Sequence, residues 1–333
     1  MKITKRLTAV LLSGSLALSM LAGSAACAEE TETPEEVTLN IAYMPNYAAL
    51  WAVLTGIEKG YFEEEGLTLN LYEFADGPTE IAAMESGTID LAYIGNGAHK
   101  LCITGSAVIF ALQQVDNSDS IIVNTSHGIE SLEDLAGKKI GYASGTSSES
   151  SLLSALDYVG LTWDDIEPYE MEATNFVSAM VSESIDAVTA WSPYTLQILN
   201  ELEDAQKIEF DNGTVSIASW IALPDYAEEN EDILLRFTRA LYKAYDYGSQ
   251  EENYEEVAQL VADQCATDYD TALAQTEDAT WYNQELIRSG LEDGTIRDLY
   301  QSQQDTFIRD EAVEEEVPLD DYILFDIMEA AME

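Results

Sequence analysis

Basic residues are scarce in this chain of 333 residues. It carries 14 Lys and Arg against 63 Asp and Glu, which gives a formal net charge of −49 at pH 7. Nucleic-acid backbones and anionic lipid surfaces are bound through clustered Lys and Arg, so we expect neither as a partner. The hydrophobic share of 47% is ordinary for a globular protein, and the acidity therefore does not indicate disorder.

Cysteine and histidine are also few, with three and two residues. Cys102 and Cys265 lie far apart, with no CxxC pair and no His at metal spacing, so we predict no zinc site. In an exported protein these two cysteines can form a disulfide or remain as buried thiols. The GxSxG, GxxxxGK[ST], GxGxxG and HExxH motifs are absent. We therefore predict a protein that is not an enzyme and needs no cofactor or metal.

Residues 1–26 have the composition of a signal peptide. Lys2, Lys5 and Arg6 form a positive start, an apolar stretch covers residues 7–22, and small residues follow. The segment contains three basic and no acidic residues, so its removal changes the net charge from −49 to −52. We expect the rest of the chain to be exported.

Cys27 follows this segment directly. The sequence LAGSAAC at residues 21–27 resembles a lipobox, although Ser24 stands where a branched apolar residue is usual. We expect a lipid anchor on Cys27, which would place the protein on the outer face of the cell membrane. Periplasmic or soluble secretion is the alternative. Residues 27–36 are acidic and contain Thr and Pro, as expected of a flexible tether.

Strand-like and helix-like segments alternate along the exported chain. Strand patterns occur at residues 37–43, 67–74, 89–94, 108–112, 121–123, 138–143 and 185–190. This alternation predicts an α/β fold with parallel sheets. The count favours two α/β lobes, the second inserted into the first, with a helical C-terminal region from about residue 225.

Four loops leave predicted strands with small, polar or aromatic residues, at residues 44–47, 95–99, 144–148 and 191–194. In open α/β sheets ligands bind beyond the carboxyl ends of the strands, so together these loops predict a binding site. Each also has a purely structural explanation, since Gly and Asn favour turns and Pro193 can end a strand.

The segment Thr146-Ser147-Ser148-Glu149 combines a polar turn with the start of a predicted helix. Free N–H groups and hydroxyls at a helix N-terminus can bind a carboxylate, sulfonate or phosphate. The same four residues form a capping box, which would use those N–H groups internally. The sequence leaves both interpretations open.

Six segments, in this order, resemble the solute-binding proteins of ABC importers for nitrate, sulfonates and taurine, a group that includes riboflavin- and thiamine-precursor binders. They are AYMPNY at 42–47, EKGYFEEEG at 58–66, GTIDLAYIG at 87–95, SLEDLAGKKIG at 131–141, GTSSE at 145–149 and IDAVTAWSPY at 185–194. The resemblance extends from about residue 37 to residue 250.

This resemblance implies a two-lobed periplasmic-binding-protein fold of type II. Lobe 1 would contain residues 37–125 and 216–333, and lobe 2 residues 126–215. It also implies a monomer that captures a small molecule between the lobes and delivers it to a membrane permease. The residues that would bind the ligand are Asn46, Tyr47, Asn96, Gly97, Ser147, Ser148, Trp191 and Trp220.

Two departures from the family pattern bear on the ligand. Ser192 stands where taurine and alkanesulfonate binders often have an acidic residue, and Ser150 stands where sulfonate binders often have His. We therefore expect a neutral, hydroxyl-rich cleft with aromatic walls. The ligand would be a small organic anion, either sulfonate- or nitrate-like or a carboxylate, with room for an aromatic part.

Three alternatives remain at this point. The chain can bind a vitamin or pyrimidine precursor, or it can be a ligand-sensing subunit. The third is a pyrimidine-synthase-like enzyme, which would require a Cys-rich iron site and a substrate-donating His that this sequence hardly offers.

Overall fold

A computed structural model of the chain describes residues 35–116, 119–210 and 216–333. The expected signal peptide at 1–26, Cys27 and most of the expected tether at 27–36 lie outside the described residues. Within these ranges, no helix is both long and apolar enough to cross a membrane.

The described strands and helices alternate through most of the chain. The strands are β1 Val37–Tyr43, β2 Leu67–Glu73, β3 Leu91–Ile94, β4 Val108–Asp116, β5 Ser120–Asn124, β6 Lys139–Tyr142, β7 Glu167–Glu170, β8 Ala187–Ala190, β9 Ala205–Ile208, β10 Ser216–Ala222 and β11 Ala279–Trp281. The α-helices are α1 Tyr47–Glu58, α2 Tyr61–Glu64, α3 Gly77–Glu85, α4 His99–Ile103, α5 Ser147–Val159, α6 Phe176–Val181, α7 Tyr194–Glu201, α8 Pro224–Glu229, α9 Glu231–Gly248, α10 Tyr254–Cys265, α11 Tyr269–Ala274, α12 Gln284–Asp293, α13 Thr295–Arg309 and α14 Phe325–Ala330.

These strands form two sheets. The first sheet has the order β11-β4-β10-β3-β1-β2, and the second has the order β7-β6-β8-β5-β9. In the first sheet β1 is parallel to β2 and β3, whereas β10 runs antiparallel to β3 and β4. In the second sheet β6 is parallel to β7 and β8. The α/β prediction is confirmed.

The points where the chain changes sheets differ in part from the sequence expectation. We expected residues 121–123 to belong with the first sheet, but β5 pairs with β8 and β9 of the second. The chain therefore enters the second sheet at Ser120, before the expected boundary at residue 125, and β10 belongs to the first sheet from Ser216. The apolar pattern of β5 fits either sheet, since its partners come from distant parts of the chain.

The C-terminal region is not purely helical as expected. Residues Ala279–Trp281 form β11, which extends the first sheet beside β4. A strand of three residues is too short to show an alternating pattern in the sequence.

Helices α1 and α9 cover the first sheet with aromatic side chains. Trp51 of α1 stacks on Tyr245 of α9 with ring centroids 5.1 Å apart. Phe237 of α9 packs against Trp220 of β10 at 5.2 Å. All four side chains are fully buried. This helix–sheet interface is the main core of the protein.

The second sheet is covered on both faces by separate apolar clusters. Leu152 of α5 packs in one cluster with Ile140 of β6, and Phe176 of α6 packs in the other with Val188 of β8. Two covered faces explain why the central strand β8 is buried along its whole length without alternation.

Cys102 and Cys265 are both free thiols, Cys102 buried and Cys265 partly buried. Of the two alternatives that the sequence left open, the structure therefore has unpaired cysteines.

Gly56 lets α1 approach the short helix α2. A Cβ atom at Gly56 would lie 2.4 Å from Cε2 of Phe62. Phe62 is buried against Phe237, with ring centroids 5.0 Å apart, so its ring has little freedom to move away. Glycine is therefore required by packing at this helical position.

We expect Gly56→Ala to lower the free energy of unfolding by about 1–3 kcal/mol, because it overpacks this contact. In a Phe62→Leu background the same substitution should be nearly neutral or stabilising, since Ala is favoured over Gly inside a helix by roughly 0.5–1 kcal/mol. Urea denaturation of the four proteins measures both effects. Stabilisation by Gly56→Ala in the natural background would contradict the contact.

Candidate functional site

A cleft lies between loops of the two sheets. Its volume is about 540 Å³, including the part open to solvent. From the first sheet, the loops after β1 and β3 contribute Met44, Asn46, Gly95, Asn96 and Ala98; from the second, the loops after β6 and β8 contribute Thr146, Ser147, Trp191 and Ser192. Because β1 is parallel to β3 and β6 to β8, the carboxyl ends of each pair meet at one edge.

Four of the eight predicted ligand-binding residues line this cleft: Asn46, Asn96, Ser147 and Trp191. Asn46 is also the N-cap of α1, and its Oδ1 accepts a hydrogen bond of 2.8 Å from the N–H of Ala49. This bond fixes the orientation of the amide, since only the oxygen can accept it. The Nδ2 donor of Asn46 has no hydrogen-bond partner among the described residues.

Two predicted aromatic residues lie in the core and outside the lining. Tyr47 is fully buried, with its ring 5.2 Å from that of Trp281. Trp220 is fully buried on β10, and its Nε1 donates a hydrogen bond to Oε1 of Gln113. Both aromatic rings stabilise the first sheet.

Ser148 is buried beneath the cleft. Its Oγ donates a 2.6 Å hydrogen bond to the carbonyl of Thr189 on β8 and accepts a 3.1 Å bond from the N–H of Ala143. The hydroxyl therefore ties α5 to the second sheet, and it has no capacity left for a ligand.

Gly97 lies where the two sets of loops touch. A Cβ atom at this position would lie 2.0 Å from the carbonyl carbon of Thr146, so the approach requires glycine. Nearby, Nζ of Lys100 is 3.1 Å from a carboxylate oxygen of Glu149. Both contacts join a loop or helix of the first sheet to α5 of the second, beside the cleft.

The N-terminus of α5 is largely satisfied by the protein itself. Oγ1 of Thr146 accepts a bond from the N–H of Ser148, and Glu149 accepts one from the N–H of Gly145. Oγ of Ser147 donates a 2.7 Å bond to Asp119. The place where the sequence predicted a ligand anion therefore lies next to a carboxylate of this chain.

Three carboxylates, those of Asp116, Asp119 and Asp278, line the cleft. Among the described residues of the lining there is no Lys, Arg or His. The expectation of a neutral cleft is therefore wrong.

Burial raises the pKa values of two of these groups. The pKa of Asp119 rises to about 7 because of burial and then the charge of Asp116, against hydrogen bonds from Ser147 and Ser216. The pKa of Asp278 also rises to about 7, chiefly through burial. Both carboxylates therefore change charge near neutral pH.

The sequence offered little to distinguish these three acids from the other Asp and Glu residues of the chain. Asp116 ends β4, and Asp119 lies just before β5, on the connection between the two sheets. Asp278 directly precedes the unpredicted strand β11. The one usable signal was position. Asp116 stands at the end of an apolar strand, and the loops that we predicted to bind a ligand also follow strands.

Residues 48–252 match the family described as NMT1/THI5 like. The chain belongs to this family. A protein of Brucella abortus that is named as a binding protein is 27% identical over 300 residues, which cover 89% of this chain and 93% of the relative. The taurine-binding periplasmic protein of Escherichia coli is 22% identical over 219 residues, 63% of this chain and 66% of the relative.

The fold is similar to that of the alkanesulfonate-binding protein of Xanthomonas axonopodis pv. citri, solved with MOPS bound. The TM-score is 0.67 at 19% identity, over 87% of this chain and 99% of that one. The family resemblance and the two-lobed periplasmic-binding fold predicted from the sequence are thus confirmed.

We expect Ser148→Ala to lower the free energy of unfolding by about 2 kcal/mol, because it leaves a buried N–H and a buried carbonyl without their partner. Ser150→Ala, a partly exposed position on the same helix, is the control and should change it by no more than about 0.5 kcal/mol. Urea denaturation of both variants checks this. Equal effects would show that the Ser148 hydroxyl is not a structural tie.

The raised pKa of Asp278 predicts a pH-dependent effect of Asp278→Asn. The folded state holds a proton that the unfolded state releases between about pH 4 and 7, so the contribution of this group to stability falls as the pH rises through that range. Asn resembles the protonated acid. The variant should therefore melt at a higher temperature than the natural protein at pH 8, and the difference should be clearly smaller at pH 5.

Thermal unfolding at both pH values measures this difference, with the exposed Asp164→Asn as the charge-matched control. A gain that is equal at pH 5 and pH 8, or seen equally in the control, would contradict a raised pKa at Asp278.

Proposed function

We propose that this protein is the extracytoplasmic solute-binding component of an ABC importer. It would capture a small molecule in the cleft and deliver it to a membrane permease without changing it chemically. The observation that carries this proposal is that loops from the carboxyl ends of both sheets line one cleft. Binding proteins among its relatives, including the periplasmic taurine-binding protein, support the same role.

The geometry supports capture by closure of two lobes. Asn46 and Asn96 line the cleft from the first sheet, and Ser147 and Trp191 line it from the second. A ligand that contacts both sides stabilises the arrangement in which they are close together. The close approach of Gly97 to Thr146 fits such a closed state.

Several expectations from the sequence enter this proposal unchanged. We propose that the chain acts as a monomer, that its first 26 residues direct export, and that Cys27 carries the lipid anchor. One expectation is adjusted: we propose two lobes, with the chain in the second lobe from Ser120 and back in the first from Ser216.

Two hydrogen-bond donors support an acceptor group on the ligand, such as a sulfonate or carboxylate. Nδ2 of Asn46 is one. The other is the indole N–H of Trp191, whose side chain lines the cleft and is 7% exposed. The rings of Trp191 and Tyr93 supply apolar surface for a carbon skeleton or an aromatic part of the ligand.

A thermal-shift screen of a broad collection of small metabolites tests this function. At least one solute should raise the unfolding temperature, and mass spectrometry should recover it unchanged. Trp191→Phe should weaken binding about tenfold, because it removes one indole donor worth about 1–1.5 kcal/mol but keeps the ring.

Trp163→Phe is the matched control, since Trp163 packs against Tyr142 of the second sheet and does not line the cleft. A protein that no solute stabilises, or that converts its ligand, would contradict the proposal. Equal weakening by both Trp variants would place the ligand elsewhere.

A further inference from the structure

We propose that the ligand carries a basic nitrogen, and that Asp119 and Asp278 bind it on the side of the cleft where β5 and β11 begin. This inference rests on the proposed function and specifies its ligand class. It departs from the anion expected from the sequence.

The first argument is the charge of the lining. Asp119 and Asp278 both border one cleft, and its described lining contains no Lys, Arg or His. Partly buried carboxylates without a counter-ion are costly, so they tend to be neutralised by a proton or by a bound cation. A purely anionic ligand would add to the repulsion.

The groups that face Asp119 show how far the protein compensates its charge. Ser147 of α5 donates a 2.7 Å hydrogen bond and Ser216 of β10 a 3.3 Å bond. Asp116 and Asp278 raise its pKa, and burial raises it further. Two hydroxyls orient this carboxylate and supply no positive charge.

Asp278 is in a similar position. A hydrogen bond from Ser192 and the charge of Lys207 lower its pKa, whereas burial, Asp116 and Glu277 raise it. Lys207 does not line the cleft and pairs with Glu209 at 3.7 Å. Because the pKa stays at about 7, this compensation is incomplete.

A second, independent observation points to a ligand at this place. Asn46 is 7% exposed and lines the same cleft, and its Nδ2 donor has no partner among the described residues. Its oxygen is held by the cap of α1, so the donor cannot be turned away. The cleft therefore offers a donor at Asn46 and acceptors at the carboxylates, which suits a molecule with a basic nitrogen and a separate acceptor group.

An organic cation is favoured by the walls of the cleft. The rings of Tyr93 and Trp191 line it, and aromatic faces attract cations.

Binding of a cation should release protons. The carboxylates must be ionised to bind it, so affinity falls as the pH drops through about 7. For one displaced proton, binding at pH 6 should be about tenfold weaker than at pH 8. An anion bound in the same cleft would show the opposite dependence, because protonation removes the repulsion.

Two matched sets of probes separate these cases. One is propylamine, propane-1-sulfonate and 3-aminopropane-1-sulfonate; the other is benzylamine, benzoate and 4-(aminomethyl)benzoate. Thermal shift and calorimetry at pH 6 and pH 8 should show binding by members with an amine, stronger at pH 8, and none by the acids alone. Asp119→Asn should weaken amine binding at least tenfold at pH 8, whereas the exposed Asp164→Asn should not change it.

Binding of the acids alone, or stronger binding at pH 6, would overturn this inference and leave the solute-binding function intact. Amine binding that Asp119→Asn does not weaken would also overturn it. Failure of the proposed function is separate, since it would appear as the absence of any stabilising solute in the broad collection. Circular dichroism of Asp119→Asn establishes that the variant is folded.

Discussion

The shortage of positive charge around two cleft carboxylates, those of Asp119 and Asp278, is the constraint on which the electrostatics of the cleft depend. Asp119 lies just before β5 and Asp278 directly precedes β11, and both line the cleft. The described lining contains no Lys, Arg or His. Their charge is therefore set by pH and by what enters the cleft.

The rest of the site is built around these groups. The N-terminus of α5 supplies the hydrogen bond from Ser147 to Asp119 and uses its other polar groups to cap the helix and tie it to β8. A helix N-terminus usually suggests an anion-binding site. Here Ser147 at the start of α5 donates to Asp119, so the group next to this helix N-terminus is a carboxylate of the protein itself.

The cleft also depends on close contact between the two sets of loops. Gly97 allows the backbone of the first set to touch Thr146 of the second, and the ion pair of Lys100 with Glu149 lies beside it. Burial raises the pKa values of Asp119 and Asp278, which line the same cleft.

The sequence by itself determined the local structure and the family. Strand and helix periodicity predicted the α/β fold, and the ordered motifs predicted the family and four cleft residues, because loops after parallel strands meet at one edge. Only the tertiary structure decided which sheet β5 joins and that the side chains of Ser148 and Trp220 are structural. It also decided that Asp116, Asp119 and Asp278 line the same cleft. Those outcomes depend on contacts between distant segments, and among 63 acidic residues no local pattern marks the three that fold into one cleft.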